Sequence, residues 1–175
     1  MTTHQGGTDT GWRLDPPTEG AAPMTHKDFV RHAYDVAEAK DIPAWISCFN
    51  LDAVFIDNSV GVTYHAPDEV AIPVENYGHA FSDMHRELYD MYVDGDIVVV
   101  QLALQGTHDG PLSLPQGVLP PTGNRMDAPC CDVFKLKEGR LQVFDCYPSG
   151  TVILSQLGVL GNLGAVLEPA AAPTA

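Results

Sequence analysis

The spacing of apolar and polar positions changes character along the chain. Phe29, Val30, Ala33, Tyr34 and Ala37 recur at helical spacing. Thr25 precedes them with Asp28 three residues on, an N-cap pattern that predicts a first helix from Thr25. Asp41–Phe49, with Pro43 near its first turn, reads as a second, short helix. Ala53–Asp57 is strand-like and ends in the turn signal Asn58-Ser-Val-Gly61. A third helix is predicted from Pro67, disturbed at Pro73 and resuming through Tyr77 and Phe81. Downstream the spacing shifts toward strands: Glu87–Val93, Ile97–Gln105, Met126–Leu136 and Leu141–Tyr147. Asp94-Gly-Asp96 and Lys137-Glu-Gly139 are tight turns between strand pairs. Residues 109–123 form a loop, and Val152–Leu157 a short terminal helix. Helices followed by a meander of strands predict the α+β class: a curved antiparallel sheet wrapped over N-terminal helices, with a pocket between the two.

The chain has 175 residues, the length of one domain. Residues 1–24 are Thr/Gly/Pro-rich and read as an arm, residues 25–160 as the domain and 161–175 as a tail. A net charge of −14 argues against nucleic acid and anionic membranes as partners, since both demand Lys/Arg patches. The start lacks a basic and then apolar leader, and no apolar run approaches ~18 residues. The four cysteines, at 48, 130, 131 and 146, form no CxxC pair and read as reduced, mostly buried thiols of a cytoplasmic protein.

Asp132 and Asp145 lie within the last two strands, each amid apolar neighbours. A carboxyl among core residues is costly unless it is paired or used. Asp57 at its strand end is either a base or the cap of the Asn-Ser turn. Asp132 either enters the pocket or faces outward. His108, in Gly106-Thr-His108-Asp-Gly, either lines the pocket or caps a loop. Tyr34, Trp45, Phe55, Phe81 and Tyr147 are expected as core or pocket wall. Cys146 would act as a nucleophile only beside an activating His, for which His108 is the candidate. His32, His65, His79 and His85 lack ligand spacing, and no phosphate-binding loop occurs, so neither metal nor organic cofactor is expected.

The element order, with Gly106-Thr-His108-Asp-Gly-Pro111, Leu119-Pro-Pro-Thr-Gly123-Asn-Arg125, Asp132-Val-Phe-Lys-Leu-Lys-Glu-Gly139-Arg-Leu141 and Gln156-Leu-Gly158, resembles the SnoaL-like polyketide cyclases. These sit in the nuclear-transport-factor-two-like superfamily with ketosteroid isomerase. The resemblance covers roughly residues 26–160. It implies a cone-shaped α+β barrel, often a homodimer. It also implies proton abstraction beside a carbonyl, or aldol ring closure, on a small hydrophobic molecule without cofactor. It places Asp57 at the isomerase's base position and Asp132 at the acid that donates to the enolate oxygen. His108 matches a cyclase histidine. The cyclases' catalytic Asp falls on Cys146, with Asp145 one residue away, which on a strand is the opposite face. Tyr34 neighbours the isomerase's oxyanion tyrosine position. The Asp-Arg-Asp set of limonene epoxide hydrolase, of the same superfamily, is missing from Val100-Gln-Leu-Ala103. Two other readings stay open: a non-catalytic binding or interaction protein, and a dehydratase with a His108–carboxylate pair.

Overall fold

A computed structural model describes residues 24–161; the expected arm and tail lie outside them, apart from Met24 and Gly161. Helix α1 spans His26–Glu38, and the Thr25 side chain caps it by accepting from the Asp28 N–H at 3.2 Å. Its buried face is Val30, Ala33, Tyr34 and Ala37, the stripe that the periodicity marks. Helix α2, Ile42–Ser47, is capped by Asp41 and buries Trp45. Strand β1 begins at Phe49 and runs to Asp57, so the expected second helix ends short of Phe49 and the strand is longer than predicted. Strand β2, Val62–His65, follows and was not expected. Helix α3 is Ile72–Ala80; the stretch from Pro67 that should have opened it forms turns instead.

The strands β3 (His85–Asp94), β4 (Ile97–Thr107), β7 (Arg125–Lys137) and β8 (Arg140–Pro148) follow the predicted meander. Between β4 and β7 the expected loop carries a small hairpin, β5 (Leu112–Leu114) with β6 (Gly117–Leu119). Helix α4, Gly150–Gln156, ends the described order. The six-stranded sheet runs β2-β1-β8-β7-β4-β3 and is antiparallel except where β1 lies parallel to β8. In the β7–β8 turn Glu138 and Gly139 both take positive φ, 54° and 74°, the geometry of a type I′ hairpin. Gly110 is required by a close approach: a Cβ there would sit 1.8 Å from the His79 carbonyl oxygen. That contact, with both Asp109 and Gly110 N–H groups donating to the Ala80 carbonyl, draws the β5–β6 hairpin toward α3.

One apolar cluster lies between the helices and the concave face of the sheet. Its aromatic centre stacks Phe144 between Phe55 (4.3 Å) and Phe134 (4.4 Å), with Trp45 edge-on. Part of the outer face of the sheet is apolar too. Ile56, Val133, Val99 and Tyr92 stand in one outward row with Asp145 among them. Among the described residues no helix is long and apolar enough to cross a membrane.

Candidate active site

Asp57, Cys146 and Asp132 occupy one cross-strand row, because Asp57 is registered with Cys146 and Cys146 with Asp132. All three are buried on the concave face. Asp57 and Asp132 thus stand two strand spacings, about 10 Å, apart. Asp132 is in phase with Met126, Ala128, Cys130, Phe134 and Leu136, all buried, so strand alternation turns it inward.

Two cavities meet at this row. An outer cleft of about 1060 Å³ lies between α3, the ends of β1 and β2, the β5–β6 hairpin and α4. An inner cavity of about 30 Å³ lies beneath, walled by Tyr34, Trp45, Phe55, Phe144 and Leu104. Asp57, Pro73, Tyr77 and Pro148 line both. Asp57 therefore sits at the throat, and Asp132, Cys146 and Arg86 at the base.

The Ser59 N–H and hydroxyl both donate to Asp57 Oδ1, at 2.9 and 2.6 Å. The turn-cap role is present, and among the described residues no donor is bonded to Oδ2. At the base, the Tyr34 hydroxyl donates to Asp132 Oδ2 at 2.7 Å and the Cys130 thiol to Oδ1 at 3.3 Å. Burial raises the Asp132 carboxyl above its usual range, opposed by the bonds from Tyr34 and the thiols and by the Arg86 charge. Tyr34 is pushed well up by burial and then by the Asp132 charge, so it remains a donor. Burial also raises Tyr77, with the charge of Asp57 adding to it.

Asp132→Asn should accordingly stabilise the protein at neutral pH. Folded Asp132 holds its proton more tightly than the unfolded chain does. Its contribution is full below the unfolded carboxyl pKa of about 4 and is lost as pH rises through the raised value. Thermal midpoints measured from pH 3 to 8 should show the variant's advantage growing with pH and vanishing at the acid end. Parallel curves would mean that burial costs Asp132 nothing.

Other expected residues fall elsewhere. Asp145 is half-buried on the outer face, within 3.5 Å of the Asn58 amide, and lines neither cavity. The β7–β8 irregularity lies between the Lys135–Val143 and Leu136–Leu141 pairs, so the strand is regular through Asp145 and cannot turn it inward. Tyr147 shares that outward phase and is 48% exposed, not a pocket wall. Phe81 is wholly buried, stacked on Tyr77 and tilted against His108, away from both linings. His108 also lines neither cavity. Its Nδ1 accepts from the Thr122 N–H at 3.2 Å, its Nε2 has no partner among the described residues, and burial lowers its pKa. Its backbone bonds Gly123 and Asn124, so it closes the base of the long loop. Among the described residues no carboxylate bonds it, which leaves the dehydratase pair without its acid, and it does not reach Cys146. The Cys146 thiol faces Cys130 at 3.9 Å. That contact, burial and Asp132 push its pKa up, the reverse of an activated nucleophile.

Arg86 had no part in the expected site; it stands just before the expected strand Glu87–Val93. The structure carries it into the inner cavity. Cys130, Asp132 and Cys146 also place three ligand-type atoms within 4.8 Å of one another, a set able to hold a soft divalent ion that strand-to-strand contact creates and sequence spacing hides. The Arg86 charge beside them opposes a cation.

A sequence profile of the SnoaL-like domain matches residues 30–144. No curated protein matches the sequence. Similar solved structures include a protein of ketosteroid isomerase-like fold from Catenulispora acidiphila DSM 44928, in complex with trimethylamine. It is 16% identical, with a TM-score of 0.65, over 83% of this chain and 100% of that one. A protein assigned as a SnoaL-like polyketide cyclase from Jannaschia sp. CCS1 is 21% identical, with a TM-score of 0.62, over 80% and 97% of the two chains. IdmH from Streptomyces antibioticus, assigned as a polyketide cyclase, is 22% identical, with a TM-score of 0.61, over 77% and 99%. At these identities the likeness speaks for the fold. The profile match over most of the domain shows the family: the chain belongs to the SnoaL-like domain family, built on the ketosteroid isomerase-like fold.

Proposed function

We propose that the chain is a cofactor-independent cyclase or isomerase that enolises a hydrophobic, polyketide-like or polycyclic carbonyl compound. One observation carries this reading: two buried carboxyls, Asp57 and Asp132, share a row and line one small, apolar-walled cavity. Asp57, with Oδ2 uncommitted, takes the proton beside the carbonyl. Asp132, kept toward its neutral form by burial, gives a hydrogen bond where negative charge develops. The inner cavity has room for about one water molecule, so a ring system lies in the outer cleft and only its reacting edge enters.

The reading is tested by incubating the protein with cyclic ketones in deuterated water. Hydrogens beside the carbonyl should exchange faster than in buffer, with no metal or cofactor added. Ketones that bind yet exchange at the buffer rate would leave a non-catalytic binder as the better account.

The protein works as a homodimer in this reading, joined through the apolar outward row of Ile56, Val133, Val99 and Tyr92. Light scattering at micromolar concentration should give twice the chain mass, and a single-chain mass would refute the assembly.

A further inference from the structure

We infer that Arg86 is the group that receives the substrate's anionic oxygen. This rests on the enolisation reading and names a residue and a ligand class that the reading lacks. Arg86 lies near the start of β3 and turns its guanidinium into the inner cavity beside Tyr34, Asp132 and Leu104. Its Nη1 is buried and, among the described residues, has no hydrogen-bond partner. A buried donor left unmade is costly, more so when it is charged, and a protein that keeps one has a use for it.

The neighbours do not absorb this donor. Glu38 Oε1 stands 3.9 Å from Nη1, beyond hydrogen-bond reach, and already accepts from the Arg86 backbone N–H at 2.6 Å. Glu38 Oε2 faces His85 at 3.4 Å. The Tyr34 ring lies under the guanidinium, 5.7 Å from centroid to carbon, which holds the group in place but accepts no bond of this kind. The Tyr34 hydroxyl and the Cys130 thiol are both spent on Asp132. Asp132 has a single proton to give. Arg86 is the cavity's one permanently charged donor among the described residues, and its charge reaches both Asp132 and Tyr34.

The cavity is therefore polarised, with the Asp57 carboxylate at the throat and a cation at the base. A C–H bond beside the carbonyl breaks, its proton passes to Asp57, and the electron pair moves through the new C=C bond onto the carbonyl oxygen. That oxygen, now negative, takes the Arg86 N–H. The charge lost at Asp57 reappears beside Arg86, and the proton returns at another carbon, so atoms and electrons balance without a co-reactant. The fitting ligands are flat molecules with an acidic oxygen: enols of 1,3-dicarbonyl compounds and phenols.

The probe is 4-nitrophenol, an enolate mimic whose absorbance reports its ionisation. The natural protein should bind the phenolate in preference to the phenol, lowering the bound probe's pKa. Arg86→Gln should abolish that shift and weaken phenolate binding roughly 10- to 100-fold. Glu38→Gln keeps an acceptor for the Arg86 N–H but removes the counter-charge, so it should deepen the shift; it also serves if Arg86→Gln fails to fold. A purely structural Arg86–Glu38 pair predicts no change in probe ionisation with either variant, and that result overturns the inference. A shift lost in Asp132→Asn but kept in Arg86→Gln also overturns it while leaving enolisation intact. If the natural protein binds only the neutral phenol, the inference fails, and hydrogen exchange from ketones separately decides whether the enolisation reading fails with it.

Discussion

Asp57→Asn should lower turnover by on the order of 10²–10⁴-fold on any substrate the protein enolises, with the fold intact. The substitution is close to isosteric. The amide oxygen still accepts the Ser59 N–H and hydroxyl that now end on Asp57 Oδ1, so the turn after β1 keeps its cap. What goes is the basic Oδ2 at the throat. Asp57→Ala removes both and should lower the thermal midpoint as well as the rate. Comparing the two separates base from cap. Full activity in the Asn variant would end the enolisation account, and an unfolded Asn variant would make the carboxylate structural.

Trp45→Ala should cost about 3–5 kcal/mol of stability, among the largest effects of any single change. Trp45 is 1% exposed, and its indole N–H donates to the Val70 carbonyl at 2.7 Å. It meets Phe49, Phe55 and Phe144 edge-on at 4.9, 6.4 and 6.2 Å. Truncation opens a void beside the inner cavity and strands a buried carbonyl. Whole domains hold only about 5–15 kcal/mol, so the loss is a large share of the total. Urea unfolding measures it, and Trp45→Phe, which keeps a ring, should lose distinctly less. A loss under about 1 kcal/mol would show that the aromatic cluster does not brace α2 against the sheet.

Much of this was legible in the chain because local signals and tertiary packing agree. Thr25 and the stripe behind it mark α1 to within a residue. The period-two run through Asp132 puts that carboxyl in phase with a core face. Disagreement explains the misses. Cys48-Phe49 prolongs the apolar spacing of α2, and an irregularity between Phe49 and Val54 blurs the start of β1. β2, β5 and β6 are too short for alternation to register. Glycine and histidine at 106 and 108 suggest a site, but the loop that His108 closes is fixed only by contact with Thr122 and Gly123. Arg86 leaves no local trace, since its burial depends on Tyr34 and Glu38, both on α1.

The seam between β1 and β8 has a consequence for how the protein is made. β1 is an early product of translation, but its parallel partner is the last strand of the sheet. Until then it has only the short ribbon with β2, and two strands alone are marginal in water. Closing so long a loop costs entropy before the pairing repays it. Asp57 sits on the early side of this seam and Cys146 on the late side. The row of Asp57, Cys146 and Asp132 therefore cannot assemble before β8 exists, and it is among the last features that the folding chain acquires.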